Sequence, residues 1–525
     1  METTYLILLI LAIIYVPLYI WVLKSPKAAE YGLAKYGPTI MVKTKLGIRL
    51  MDRLCVYRRF WKFFGTVSIA ISFMLMAVMV YIMLVGILNL SASLSRPGVG
   101  VEYALAIPGI NPLLPIWYGI LGLVVAMVIH ELAHGFQTRA NGMRVDSTGL
   151  LHLVVPLGAF VNPNEEDVSK ASRRAKLDLY SAGISINFIA AVVSFSIFAV
   201  LMLGGISSPY GDNSAVYSVS SDSPAYLSGI PSGAIIESID GEPYYYETPA
   251  GGYSWEPGDY VTVVYITEDG KHTVSKDDPD VGKRIRWGVL VENEPSEGPA
   301  KGVLHKHDLL LSVSYTYTVA GASVTELTKF YGVQDFLKYM NTTEPGMTVT
   351  LNHMAKDGSV VTDTVELGSK GSVGYVGIST TTSGMAFITP NIMLDTARNP
   401  IYGADSARDT ATSLIGYISG PFNGFTPMPD SVRWWYDVPM DGAFWIIVNV
   451  MYWIFWLNVM LGVSNAIPAF PFDGGFIFMG GLDALLERLG LKDGERRGKV
   501  SEKVSSYVSS VMLLLFVLVI AAAVF

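Results

Sequence analysis

Six stretches of this chain are apolar over about the thickness of a lipid bilayer, and a water-soluble fold would have to bury all of them. They fall at roughly 4–23, 65–90, 113–137, 177–203, 443–467 and 504–525. A helix needs roughly 20 apolar residues to cross a hydrocarbon core of ~30 Å, and each stretch approaches or exceeds that length. Composition agrees, since 51% of the 525 residues are hydrophobic and only 16% are charged, with a mean hydropathy of +0.40. The first run, TYLILLILAIIYVPLYIWVL (4–23), has no basic start and no small-residue cleavage site. It is therefore predicted to be a retained span and not a signal peptide. The only cysteine, Cys55, excludes an intrachain disulfide framework and a cysteine-rich zinc module, and is expected to be an inert buried thiol.

Lysine and arginine set the expected orientation. Residues 24–64 hold ten basic residues against only Glu30 and Asp52, which predicts a cytoplasmic loop and an N-terminus outside. Counting on through six spans puts 138–176 and 468–503 inside. Each carries six lysines and arginines, with Arg139, Arg144 and Arg173 in one and Arg496, Arg497 and Lys499 in the other. The loop 91–112 and the long segment 204–442 then lie outside, and both chain ends with them.

That long segment has a different character. It is rich in Gly, Ser, Thr and Tyr, and alternates apolar with polar residues as half-buried strands do. VTVVYIT (261–267), GVLVEN (288–293) and MTVTLNHM (347–354) are examples, with turns signalled at Asp240-Gly241, Asp269-Gly270 and Asp357-Gly358. Two weakly similar stretches, 223–241 and 298–315, each run from small residues into an apolar strand. The fold class expected is a polytopic α-helical membrane protein of about six spans carrying an extracytoplasmic β-rich insert. The expected division is a first span with its basic loop (1–64), a membrane core (65–203), the insert (204–390), an interfacial connector (391–442) and a second core segment (443–525).

Within the third run, VAMVIHELAHGFQ (125–137) places His130 and His134 one helical turn apart on one face, with Glu131 beside them. Two imidazoles at that spacing suit one Zn²⁺, and the glutamate suits a general base. Ionisable groups in a span are costly and point to function. A catalytic zinc takes three protein ligands and keeps a fourth position for water. Asp473, in NAIPAFPFDGG (465–475) near the same end of the fifth run, is the candidate third ligand. Pro468, Pro471 and Gly474-Gly475 around it predict a backbone that leaves helical geometry there.

HELAHG (130–135) and NAIPAFPFDG (465–474) together resemble the paired signature of the site-2 protease family of intramembrane zinc metalloproteases: H-E-x-x-H in one core helix, N-x-x-P-x-x-x-x-D-G in another. GAFVNPNEED (158–167) resembles that family's membrane-associated β segment. Gly183 and Asn187 in AGISINFIAA (182–191) resemble the pattern of its next core helix. The resemblance implies that His130, His134 and Asp473 hold Zn²⁺ and that Glu131 moves the proton of the attacking water. It implies a role for Asn465 and Asn187 as substrate hydrogen-bond partners, beside which a helix-terminus cap for Asn465 and helix–helix hydrogen bonding for Asn187 stay open, and one or two PDZ-like domains in the insert, with a peptide ligand as partner. Membrane-spanning protein substrates, the lipid bilayer and regulated intramembrane proteolysis in the cell membrane follow from the same family; nucleic acid is not expected.

Because a transmembrane helix has its backbone hydrogen-bonded, it must unwind before water can attack it. LVVPLGAFV (153–161) has the character of an edge strand that pairs with an unwound segment. Two other classes stay open on sequence: a membrane zinc transporter and a catalytically silent scaffold. Smaller expectations complete the reading. His152 is read as a structural histidine, with a fourth metal ligand as the alternative, His305 and His307 alternate on a strand at the surface, and Asn341-Thr342-Thr343 is a glycosylation sequon. Trp434, Trp435 and Tyr436 form an interfacial belt, and Met74, Met76, Met79 and Met83 pack against helices or lipid.

Overall fold

The computed structural model describes residues 2–88, 90, 108–109, 111, 114–153, 156–319, 322–423, 426, 428–440 and 442–524. Most of the expected outer loop 91–112 lies outside the described residues, as do Val154 and Val155 of the expected edge strand and positions 424, 425, 427 and 441 of the aromatic connector. The chain divides into two compact units. One comprises 1–201, 414–425 and 440–525, the other 202–413 and 426–439.

Seven longer helices build the first unit: α1 (Glu2–Lys24), α2 (Arg58–Leu88), α3 (Ile116–Ala140), α4 (Arg173–Leu203), α5 (Gly442–Asn465), α6 (Asp473–Arg488) and α7 (Gly494–Val524). Among the described residues five of them, α2, α3, α4, α5 and α7, are long and apolar enough to cross a membrane. Three start before the apolar run predicts, at Arg58, Arg173 and Gly494. Charge pairing explains the last two: Arg173 and Arg497 both bind Asp483, at 2.7 Å each, so helix continues where apolar residues have ended.

Small residues set how closely these helices approach. On α3 the buried face runs Gly119, Gly122, Ala126, His130, Ala133 and His134, one stripe at the 3.6-residue period. A methyl at Gly122 would stand 3.0 Å from the Trp453 carbonyl oxygen of α5, so glycine is what lets the two backbones touch. Serines join α2 to α4: the Ser72 hydroxyl donates to the Ser181 carbonyl at 3.2 Å, and Ser185 to that of Ser68 at 3.0 Å. Met76, Met79 and Met83 pack with Ile184, Ile467, Ile477 and Met512, whereas Met74 is exposed.

A four-stranded antiparallel sheet completes this unit, in the order β1 (Leu33–Tyr36), β2 (Thr39–Thr44), β3 (Val145–His152), β4 (Pro156–Pro163). The basic loop after the first span thus contains a hairpin the sequence reading missed, joined to β3 through Val42 opposite Leu150. Among the described residues β4 is the last strand of the sheet, where an edge strand was expected. Cys55 is buried, and desolvation pushes its thiol up to about 11, which leaves it unreactive.

The second unit is built on a twelve-stranded sheet. Its chain-order strands are β5 (Ser214–Val219), β6 (Ile235–Ile239), β7 (Val263–Thr267), β8 (Gly270–Val274), β9 (Val289–Val291), β10 (Leu309–Val319), β11 (Ala322–Lys329), β12 (Thr348–Met354), β13 (Val360–Glu366), β14 (Thr380–Thr382) and β15 (Met385–Ile388), with Glu242–Pro243 as a short addition to β6. The main path runs β8-β7-β6-β5-β15-β14-β9-β10-β12-β13, with β11 paired to β10. All three Asp-Gly turns close hairpins, and at Asp240-Gly241 both residues have positive φ, 49° and 86°, as a two-residue hairpin turn requires. Two separate hydrophobic cores lie in the unit, one around Trp287 and Ile236, the other around Leu310 and Phe330.

Two expectations are corrected here. Trp435 is not an interfacial anchor. It is fully buried in this unit, and the indoles of Trp435 and Trp434 donate to the Gly233 carbonyl at 2.8 and 3.1 Å; Tyr436 is buried too and donates to the Pro390 carbonyl at 2.8 Å. Satisfied indole and hydroxyl groups need no headgroup water. His305 and His307 precede strand β10 and lie in a turn, His307 with a left-handed φ of 75°. His305 pairs with Glu294 at 2.7 Å, which raises its pKa. Replacing Trp435 by phenylalanine is expected to cost about 1–3 kcal/mol, seen as a lowered thermal midpoint of the full chain. Retention of the Trp434 bond to the same carbonyl favours the lower figure.

Candidate metal centre

His130 and His134 face inward because they continue the small-residue stripe of α3, the side on which α4 and α5 pack. Asp473 reaches the same point by a different route. α5 ends at Asn465, the chain turns through 466–472, and Asp473 is the first residue of α6. The glycines after it therefore act differently from expectation. Neither has positive φ; both are helical and permit close approach. A methyl at Gly474 would stand 2.3 Å from the Ile467 carbonyl oxygen, and one at Gly475 would stand 2.8 Å from the Ala469 carbonyl carbon. The proline-containing turn folds directly back onto the first turn of α6, and that fixes Asp473.

The result is a nearly equilateral triangle of ligand atoms. His130 Nε2 and His134 Nε2 are 3.1 Å apart, and each is 3.2 Å from Asp473 Oδ2. The three side chains are at most 13% exposed. Among the described residues this is the cluster of three or more such groups able to hold a metal ion. Zn–N and Zn–O bonds of about 2.0–2.1 Å put neighbouring ligands of a tetrahedral ion ~3.3 Å apart, so the triangle has the size zinc requires. The chemistry of the set agrees. Asp473 Oδ2 is buried with no hydrogen-bond partner among the described residues, and lone pairs crowded at 3.2 Å away from water are costly unless a cation lies between them.

The surrounding shell orients these groups. His134 Nδ1 lies 2.8 Å from the Leu179 carbonyl oxygen of α4, so Nδ1 carries the proton and Nε2 keeps its lone pair for a metal. His130 Nδ1 is buried without a partner among the described residues. Gly183, one turn beyond Leu179, closes over the pair. A methyl there would stand 2.5 Å from His134 Nε2 and 2.7 Å from His130 Nε2. Glu131 Oε2 accepts the Val161 backbone N–H at 2.9 Å, which ties the glutamate to strand β4.

Glu131, His134 and Asp473 line one cavity of about 550 Å³, bordered also by Val161, Leu179 and Tyr180. Several of its walls, including the polar Asn162, Glu165 and Ser169, are exposed, so the cavity opens to the protein surface. Asn187 and Asn465 do not border it. Asn187 is fully buried with both amide atoms unpaired among the described residues, and the Asn465 amide donates to its own helix at the Leu461 carbonyl, 3.0 Å away. His152 ends β3 outside the ligand cluster. The Val161 contact and the Leu179 carbonyl were invisible to sequence reasoning, because backbone groups leave no residue-type signal.

Two comparisons with known proteins bear on this site. The family model described as peptidase family M50 matches residues 118–519, a span that includes both histidines and Asp473. An uncharacterized protein of the archaeon Methanocaldococcus jannaschii is 30% identical over 190 residues, covering 36% of this chain and 50% of that protein. The chain thus spans about half the length of that relative.

Proposed function

Since the chain belongs to peptidase family M50, we propose that it is a membrane-embedded metalloprotease that hydrolyses a peptide bond within the transmembrane helix of a substrate protein, with zinc at His130, His134 and Asp473. One observation carries the assignment of the site: three ligand atoms 3.1–3.2 Å apart share a cavity with a glutamate that is not one of them. Bound there, zinc supplies a lowered pKa for water and polarisation of a carbonyl. Glu131 takes the proton of the attacking water and returns it to the nitrogen of the leaving amine as the C–N bond breaks. The Val161 N–H holds the carboxylate in place for both transfers. Neither a transporter nor a silent scaffold gains support, and a general base has no task in either.

The lysines and arginines of loops 24–64, 138–176 and 468–503 support an orientation with all three on the cytoplasmic side of the cell membrane, and six spans if α1 is counted. The insert then faces outward, where its two β cores suit capture of an extended peptide in the manner of PDZ-like domains. The direct test is one zinc per purified chain, together with cleavage of a model transmembrane substrate in lipid. A chain that binds no zinc, or cleaves equally well after chelation, would falsify the assignment.

The unwound substrate needs a backbone partner, and β4 offers its outer edge. Val161 lies opposite Thr148, yet points its N–H at Glu131 and away from β3. By antiparallel alternation Ala159, opposite Leu150, also directs its N–H outward. Ala159→Pro therefore removes an outward donor while keeping every ladder bond, and proline is tolerated at such edges. Cleavage is expected to fall about three- to tenfold, the worth of one hydrogen bond, at unchanged zinc content. An unaltered rate would refute strand pairing.

A further inference from the structure

A second cavity, of about 700 Å³, adjoins the metal cavity and shares with it the walls Val168, Ser169, Tyr180 and Phe476. Tyr180 and Phe476 stand between the two as a stacked pair, with ring centroids 4.4 Å apart and planes inclined by 10°. Beyond that pair the cavity runs between α4, α6 and α7. Leu177, Phe470 and Met479 give it apolar walls, while Arg173, Asp483 and Glu502 stand at its polar side. Its volume lies within the ~300–1,000 Å³ of sites that enclose small ligands. It also holds an unmet polar group. Ser501 of α7 borders it, is 1% exposed, and has a hydroxyl without a hydrogen-bond partner among the described residues.

We propose that this second cavity is a specificity subsite, which receives a large apolar side chain of the unwound substrate a few residues to one side of the scissile bond. The inference rests on the proteolytic reading above. Continuity with the metal cavity identifies the occupant. Glu131 and the Tyr180–Phe476 pair line the same cavity, so an extended strand with its scissile carbonyl beside Glu131, rising about 3.3 Å per residue, carries side chains a few residues from the cleaved bond along that cavity to the pair. An unwound segment of a transmembrane helix brings apolar side chains that match Leu177, Phe470 and Met479. It also brings backbone amides and carbonyls freed from their helix, one of which the Ser501 hydroxyl can bind.

The test uses the full chain in lipid and a panel of model transmembrane substrates, each carrying Ala or Leu at one position from four before to four after the cleaved bond. Wild type is expected to prefer Leu at one such position by about tenfold. Met479→Trp, which fills the cavity, is expected to abolish that preference by slowing the Leu substrate, while the Ala substrate stays within about twofold and zinc content is unchanged. A uniform loss over all substrates, or no change for any, overturns the proposal.

A second measurement does not depend on turnover. In Glu131→Gln protein, Met479→Cys is expected to form a disulfide, under a mild copper oxidant, with a substrate cysteine at the selective position and not at positions across the cleaved bond. The buried, high-pKa Cys55 thiol leaves the background low. Cross-linking equal at all positions counts against the subsite. Absence of any cleavage by wild type would instead remove the proteolytic reading on which the subsite depends, so the two failures are distinguishable.

Discussion

Glu131→Gln protein is expected to retain its zinc and lose about 10²–10⁴-fold in cleavage rate, the usual worth of a general base. The prediction separates chemistry from architecture because of what Glu131 touches. Its Oε2 accepts the Val161 N–H at 2.9 Å, and the amide oxygen of a glutamine can accept the same bond. The metal ligands His130, His134 and Asp473 are untouched by the change, and the side chain keeps its volume. What disappears is the capacity to take a proton. Metal analysis of the purified variant beside wild type, with cleavage of a transmembrane substrate by each, reads both halves. A variant that cleaves at the wild-type rate means that some other group is the base. A variant that loses its metal means that the glutamate serves to build the site.

The ligand triad was legible in the sequence because each part had a local signature. His130 and His134 share a helix face by their spacing alone, and Asp473 lies in a run of prolines and glycines that helices avoid. The strands around Asp240-Gly241, Asp269-Gly270 and Asp357-Gly358 were legible for the same reason, since alternation and turn residues act within a few positions. Long-range pairing was not. The hairpin Leu33–Thr44 carries no strong strand signal of its own and forms because β3 supplies a partner more than a hundred residues later. Gly474 and Gly475 were read as freeing the backbone from helical geometry, whereas they are spaces for carbonyls that only the folded turn brings near. Trp435 shows the same limit: an aromatic cluster beside a span resembles a membrane belt until the Gly233 carbonyl appears as its partner.

Gly183→Ala is expected to weaken zinc binding by at least tenfold, and cleavage with it, although alanine is the better helix former by about 0.5–1 kcal/mol. The added methyl would stand 2.5 Å from His134 Nε2 and 2.6 Å from His130 Cε1, distances no carbon contact tolerates. Neither ring can yield cheaply, for His134 is tied to the Leu179 carbonyl at 2.8 Å and both rings lie under the packed face of α4. Moving α4 outward instead would stretch that same bond, because Leu179 and Gly183 belong to one helix a turn apart. Either response disturbs the orientation of a ligand, and lost outer-shell contacts typically cost 10–100-fold in metal affinity. Gly416→Ala is the matched control, a helical glycine whose methyl would meet nothing within 4 Å, and zinc affinity there should be unchanged. If Gly183→Ala binds zinc as wild type does, α4 is not what holds the histidines in register, and the tight closure over the triad has no part in forming it.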